Sequence, residues 1–186
     1  DLNGDGIIDT NDRTMIGRGL PIHTGGFTNN FEYKGFDLSV FFQWSYGNDV
    51  LNANRLFFDS GFQKKRELNQ YASYTNRWTP ENPNSDIPAA TNSSSNLVIS
   101  SRVVEDASFL RLKTVTLGYT VPKTFLKKYK IDNARLYVAA QNLWTITGYS
   151  GYDPEVSIRS GGLTPGLDFS SYPRALSVSF GINLGF

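Results

Sequence analysis

The opening of the chain carries residue types that suit a hard cation. Asp1-Leu2-Asn3-Gly4-Asp5-Gly6-Ile7-Ile8-Asp9-Thr10-Asn11-Asp12 puts oxygen side chains at loop positions one, three, five, nine and twelve, and a glycine at six. Calcium takes about six to eight oxygen ligands, and a glycine at the sixth position allows the sharp turn that brings them inward. Asp1, Asn3, Asp5, Asp9 and Asp12 would supply side-chain oxygens and Ile7 its carbonyl, while Ile7 and Ile8 would tack the loop to the body. Asp12 stands where the longer glutamate is usual, which shortens the reach of the last ligand. The same residues also suit a metal-free Asx-rich turn. With no second loop or flanking helix pair in view, the expected role is a structural staple.

Other groups offer little chemistry. The single histidine, His23, precedes Gly25-Gly26 with no cysteine anywhere in the chain, so thiol and zinc-cluster chemistry are excluded and His23 reads as a surface loop residue. Asp153 and Glu155 flank Pro154 and could be imagined as a glycosidase pair, but carboxylates in a proline-fixed turn are more often loop-shaping groups. No enzyme is expected. Tyr149, Tyr152 and Tyr172 have faces that suit sugar C–H groups, or they pack a loop against its support.

The elements that would carry these residues are strands. Arg174 to Phe186 puts Leu176, Val178, Phe180, Ile182, Leu184 and Phe186 on one face, and small or polar residues on the other. Phe36 to Tyr46 repeats the pattern with Phe36, Leu38, Val40, Phe42, Trp44 and Tyr46, and pairs with Phe27 to Tyr33 through the Lys34-Gly35 turn. Ala107 to Val121 changes phase near Lys113-Thr114, as a β-bulge would require. Ala134 to Trp144 follows, with Leu136, Val138, Ala140 and Trp144 on its apolar side. Residues 48 to 106 show no strand pair, only a short helix over Lys64 to Arg77 spaced by Leu68, Tyr71 and Tyr74, and 145 to 171 form a second loop. Connections after Tyr33 and Val121 are short, the latter a basic connector over Lys123 to Asn133. Those after Tyr46 and Trp144 are long.

Alternating short and long connections, with bulky residues on one strand face, fit a transmembrane barrel. A two-layer sandwich shows the same period with the apolar face turned to a core, so periodicity leaves both open. The sandwich alternative would be a secreted, calcium-stabilised module binding carbohydrate through its loops. A net charge of +1, with both signs interspersed, leaves no footprint for nucleic acid. No apolar run is long enough for a membrane helix. The chain opens inside a motif without a signal-peptide pattern, which fits a C-terminal piece of a longer exported protein.

Several motifs in order extend this. The Asp1–Asp9 loop, Phe109-Leu110-Arg111-Leu112-Lys113, Leu117-Gly118-Tyr119, Ala140-Gln141-Asn142-Leu143, Gly151-Tyr152-Asp153-Pro154-Glu155 and Tyr172-Pro173-Arg174 together resemble the C-terminal end of SusC/RagA-type TonB-dependent outer-membrane transporters of the Bacteroidetes. The resemblance implies an all-β fold: antiparallel up-and-down strands forming the C-terminal portion of a large barrel of the roughly 22-stranded class, with long extracellular loops. It further implies energy-coupled import of oligosaccharides or peptides with a SusD-like surface lipoprotein, and contact with TonB through a part outside this chain. Ser179, Gly181, Leu184 and Phe186 resemble the terminal signal read by the barrel-assembly machinery. The expected organisation is a calcium-loop segment on the extracellular side over 1–25, and C-terminal barrel strands and loops in contact with membrane lipid over 26–186, with the plug and the N-terminal barrel strands outside this chain. Trp44, Tyr46, Trp144 and Tyr172 would mark the outer rim, with Tyr33 and Phe186 at the inner one.

Overall fold

The computed structural model describes residues 1–7, 9–61, 69–91, 97–159 and 161–186. Two compact units are built from interleaved stretches of chain: residues 21–47, 107–155 and 172–186 form one, and 1–20, 48–106 and 156–171 the other.

The first unit is a five-stranded antiparallel sheet. Its strands are β1 (His23–Tyr33), β2 (Phe36–Tyr46), β5 (Phe109–Thr120), β6 (Asn133–Thr147) and β8 (Ser177–Gly185), in the order β1-β2-β5-β6-β8. Neighbours in this sheet follow one another along the chain once the second unit's strands are set aside, which is an up-and-down arrangement. β1 starts four residues before the apolar alternation begins at Phe27, so His23 is a strand residue and not a loop one. β8 is shorter than its sequence pattern, which leaves Leu176 and Phe186 outside the ladder.

Register follows the side-chain phase. Phe36, Tyr119, Leu136 and Ile182 form one row across four strands, and Leu38, Leu117, Val138 and Phe180 the next. The phase change at Lys113 is a bulge: Phe41 pairs with Thr114 and Phe42 with Leu112, leaving Lys113 over. On the other side Leu112 pairs with Trp144 and Thr114 with Gln141, so Asn142 and Leu143 bulge opposite it. Asn142 takes the left-handed conformation there, with φ 53°, a state asparagine tolerates better than most residues. The double bulge restores Leu110, Leu112, Trp144 and Ile146 to the face of the rows below.

That face has no core. None of its large apolar side chains is buried, and Phe180 and Ile182 stand 82% and 65% exposed. A sandwich would have covered these residues with a second layer, so the sandwich expectation fails on this face. Eleven residues of β2 span about 36 Å at ~3.3 Å each, or about 27 Å when tilted as barrel strands are, which matches an apolar band of about 25 Å.

The second unit holds the short strands β3 (Asp49–Asn52), β4 (Val104–Asp106) and β7 (Leu167–Asp168), in the order β4-β3-β7. A strand pair therefore does exist at the ends of 48–106, where none was expected. Strands of four, three and two residues are too short to show a period, and β3 meets β7 in parallel across more than a hundred residues of sequence. The unit is centred on Val50, Val103, Leu56 and Ile87. Its short helix α1 (Ala53–Phe58) starts where Asn52 accepts a hydrogen bond from the Arg55 N–H (3.4 Å). Fully buried Asp59 meets Arg55 (3.3 Å), Arg102 (3.9 Å) and the Ser73 hydroxyl (3.0 Å). Burial pushes the Arg102 pKa down, and Asp59 opposes that. The helix expected over 64–77 is described only from residue 69, where a 3-10 turn covers Ala72–Asn76; Leu68 and the Ser93–Asn96 loop residues lie outside the described residues. The basic connector contains helix α2 (Lys123–Leu126) and a 3-10 turn over Lys127–Tyr129.

Candidate functional site

The N-terminal loop is turned by its own side chains. Asp1 accepts from the N–H groups of Gly4 (2.7 Å) and Gly6 (2.8 Å), Asn3 from Asp5 (3.0 Å), Asp5 from Ile7 (2.8 Å) and Asp9 from Asn11 (2.7 Å). Asp12 closes the loop by accepting from Leu2 (2.6 Å) and Asp9 (2.7 Å). The N–H groups of Asp9 and Leu2 hold the Asp12 carboxyl below its ordinary range. Gly6 has φ 82°, the conformation the sixth position requires. The donors are all oxygen, as calcium prefers, and each carboxylate oxygen has a further lone pair beyond the N–H it accepts. Yet among the described residues no three acidic or histidine side chains converge as a metal cluster. Ile7 is exposed, and Ile8 lies outside the described residues.

The polar face of the five-stranded sheet carries two built arrangements. Near the β2 C-terminal end, Arg111 is 2% exposed and binds Asp153 (2.6 Å) and Glu155 (2.9 Å). Lys113 (3.3 Å) and Arg174 (3.4 Å) complete the ring around Glu155. Asp153 also accepts from the backbone N–H groups of Glu155 (2.9 Å) and Arg174 (3.0 Å). Burial pushes the Asp153 pKa up, but Arg111 and these two N–H groups outweigh it and leave the carboxyl below its usual range. The two carboxylates are therefore cross-linkers holding the 148–155 loop and the approach to β8 on the sheet. Both are held by cations, which suits cross-linking and not an acid–base pair. A cleft of about 260 Å³ lies beside them, lined in part by Thr145, Thr147, Tyr152 and Arg174.

At the opposite end of the strands, one row reads Asp37, Gly118, Tyr137, Gly181. Gly118 leaves open the space through which Arg135 of β6 reaches over β5 to Asp37, in a bidentate pair. Arg135 also lies over the Tyr137 ring (5.4 Å), and that ring fills the place a Cβ on Gly181 would occupy. The row thus locks four strands in register. Gly181→Val should cost about 1–3 kcal/mol through overpacking, and adding Tyr137→Ala should recover most of it. Heat-dependent unfolding of the full-length protein, followed by gel mobility, checks this; an unchanged single variant would contradict it.

The remaining sequence candidates are placed as follows. Ser179 shares the polar face with Gly181, Leu184 lies on the apolar face, and Phe186 is 84% exposed beyond β8. Tyr149 is buried at 5%, with its ring over Gly151, and cannot stack on a sugar; Tyr152 and Tyr172 are open. His23 accepts a hydrogen bond from the Trp44 indole (3.1 Å) and stacks on Tyr46. Arg135 was not singled out in the sequence, and Arg111, Lys113 and Arg174 entered only as parts of motifs, with no role. For Arg111, Lys113 and Arg135 the signal was a charge within a strand, which requires a partner once buried.

No protein-family model matches the chain. All of it aligns with TonB-dependent receptor P3 of Formosa agariphila at 40% identity, over 18% of that protein. It also aligns throughout with TonB-dependent receptor SusC of Bacteroides thetaiotaomicron at 29% identity, over 17% of it. A solved RagAB peptide transporter superposes on 88% of the chain with a TM-score of 0.73 and 33% identity, over 17% of its own length. The RagAB importer in its closed-closed state superposes on 98% with a TM-score of 0.77 and 28% identity, over 20% of its length. Along its whole length the chain is similar to SusC/RagA-type TonB-dependent receptors. It spans about a fifth of the length of these relatives. The five antiparallel strands match a stretch of such a transporter barrel. Closure of the wall requires strands from elsewhere in the receptor.

Proposed function

We propose that this chain supplies wall strands and extracellular loops to an outer-membrane importer of oligosaccharides or peptides, driven through TonB and served by a SusD-like surface lipoprotein. The observation that carries the reading is the contrast between the two sheet faces. One exposes large apolar residues from every strand, and the other carries charged side chains, with Arg111, Lys113 and Arg135 paired to carboxylates. A lipid-facing wall around a polar lumen has this distribution, and a soluble enzyme has no use for it. Long connections leave the strand ends at Tyr46 and Thr147 and short ones join the other ends, which puts the long ones outside the cell. The receptor is a transporter and performs no chemistry on its cargo; TonB contacts it through a part beyond this chain. Removing the full-length receptor from its host should abolish uptake of labelled oligosaccharides or of labelled peptides. Unchanged uptake of both would overturn the proposal.

Two further roles belong to this reading. Ser179, Gly181, Leu184 and Phe186 present β8 to the barrel-assembly machinery as a strand with an unpaired edge. Calcium held by Asp1, Asn3, Asp5, Asp9, Asp12 and the Ile7 carbonyl staples the N-terminal loop, drawing side chains now turned to N–H groups onto one ion. A calcium concentration of about 100 times Kd would stabilise the loaded form by about 2.7 kcal/mol. Asp1→Ala with Asp5→Ala in the full-length receptor should therefore lower Tm more in calcium than in chelator, where only the loop's own hydrogen bonds are lost. Equal loss in both conditions would rule out ligation.

A further inference from the structure

The strand ends opposite the long loops carry a patch that the import reading leaves unused. Three backbone bonds tie this rim together: Thr120 N–H to Gly35 O (2.7 Å), Val121 N–H to Ala134 O (2.9 Å) and Asp132 N–H to Gly185 O (2.8 Å). On it stand five exposed lysines, Lys34, Lys123, Lys127, Lys128 and Lys130. None of them forms an ion pair among the described residues. The carboxylates nearby in sequence are Glu32, Asp132 and Asp37, and Asp37 is taken by Arg135.

Apolar groups accompany the charge. Phe125 and Tyr129, four residues apart on the helical connector, are 69% and 67% exposed, while Leu126 between them is buried. The lipid-facing row Phe36, Tyr119, Leu136 and Ile182 lies just beyond, with Tyr33 beside Phe36. In water, two exposed aromatics among unpaired lysines would serve no contact. At the boundary of a bilayer, rings seat between headgroups and acyl chains, and lysine stems lie along apolar surface with the ammonium at the phosphate level.

We propose that this rim is a binding surface for anionic phospholipid, with Lys123, Lys127, Lys128 and Lys130 engaging headgroup phosphates while Phe125 and Tyr129 insert beneath them. It rests on the barrel-wall reading. The occupant follows from charge complementarity and from the position of the patch at the end of the lipid-facing rows.

The test uses the full-length receptor in bilayers of phosphatidylcholine containing spin-labelled phosphatidylcholine or spin-labelled phosphatidylglycerol. Immobilised phosphatidylcholine reports that the wall meets lipid at all, so its absence would sink the barrel reading and is distinguishable from loss of selectivity. Wild type should prefer phosphatidylglycerol at least about fivefold, the effect of one interfacial lysine. High salt and the combined Lys123→Gln, Lys127→Gln, Lys128→Gln and Lys130→Gln variant should each abolish the preference. The corresponding four Lys→Arg changes should keep it. No preference in wild type, or an equal preference in the glutamine variant, overturns the proposal.

Discussion

Arg111→Met should destabilise the full-length receptor by about 3–5 kcal/mol, because it leaves two largely buried carboxylates without their main cation. Asp153 and the Arg111 side chain are both almost fully buried, so solvent does little to screen the pair. Glu155 retains Lys113 and Arg174, which puts the expected loss toward the lower end of that range. The same ring gives a pH dependence of known sign. Asp153 has a folded pKa below its unfolded value, so its contribution is fully present above the ordinary carboxylate range and is lost as pH falls through the lowered value. Arg111→Met should abolish that acid-sensitive component, and Asp153→Asn should abolish it with a smaller loss at neutral pH. Unfolding midpoints of the three proteins between neutral and acid pH, with proteolysis of the 148–155 loop as a local readout, check both statements. A loss below about 1 kcal/mol for Arg111→Met would mean that water or another group had already compensated the carboxylates.

Phe180→Arg should cost about 1–2 kcal/mol in a bilayer, because its row lies one step in from the rim, between the full penalty for a cation at mid-depth on the lipid face and the small one at the interface. Phe180 sits in the row Leu38, Leu117, Val138, Phe180, with further rows on either side. The size of the effect discriminates between environments. For a side chain 82% exposed to water, the same change would fall within about 0.5 kcal/mol and would improve solubility. Ser179→Arg, one residue away on the polar face, should be far milder, since lumen positions accept charge. Folded fractions of both variants of the full-length receptor, reconstituted in vesicles and unfolded by denaturant, provide the comparison. Equal effects at 179 and 180 would remove the distinction between the two faces on which the importer reading depends.

The wall was legible in the sequence because its signal is local and repeated. Every second residue of β2 and β8 is bulky, β6 adds Leu136, Val138, Trp144 and Ile146, and the break at Lys113 announces its own bulge. The short Lys34-Gly35 turn fixed the β1–β2 register in the same way. The motifs from Phe109 to Arg174, read in order, were specific enough to name the family, and the comparisons agree. Short elements escaped notice. β3, β4 and β7 together contain no more residues than the shortest wall strand, so no period could develop, and their pairing joins distant parts of the chain.

By itself, the sequence determined which strand face is apolar, where the phase breaks and which side chains in the first twelve residues have oxygen to offer, since these depend on spacing along one backbone. Only the tertiary structure decided that the apolar face stays uncovered, that Arg111 gathers Asp153 and Glu155, and that Gly118 and Gly181 are recesses for Arg135 and Tyr137. Those outcomes require residues tens of positions apart to meet across the sheet. Charge pairing and steric fit act across that distance in space, and nothing in the local order of residues encodes it.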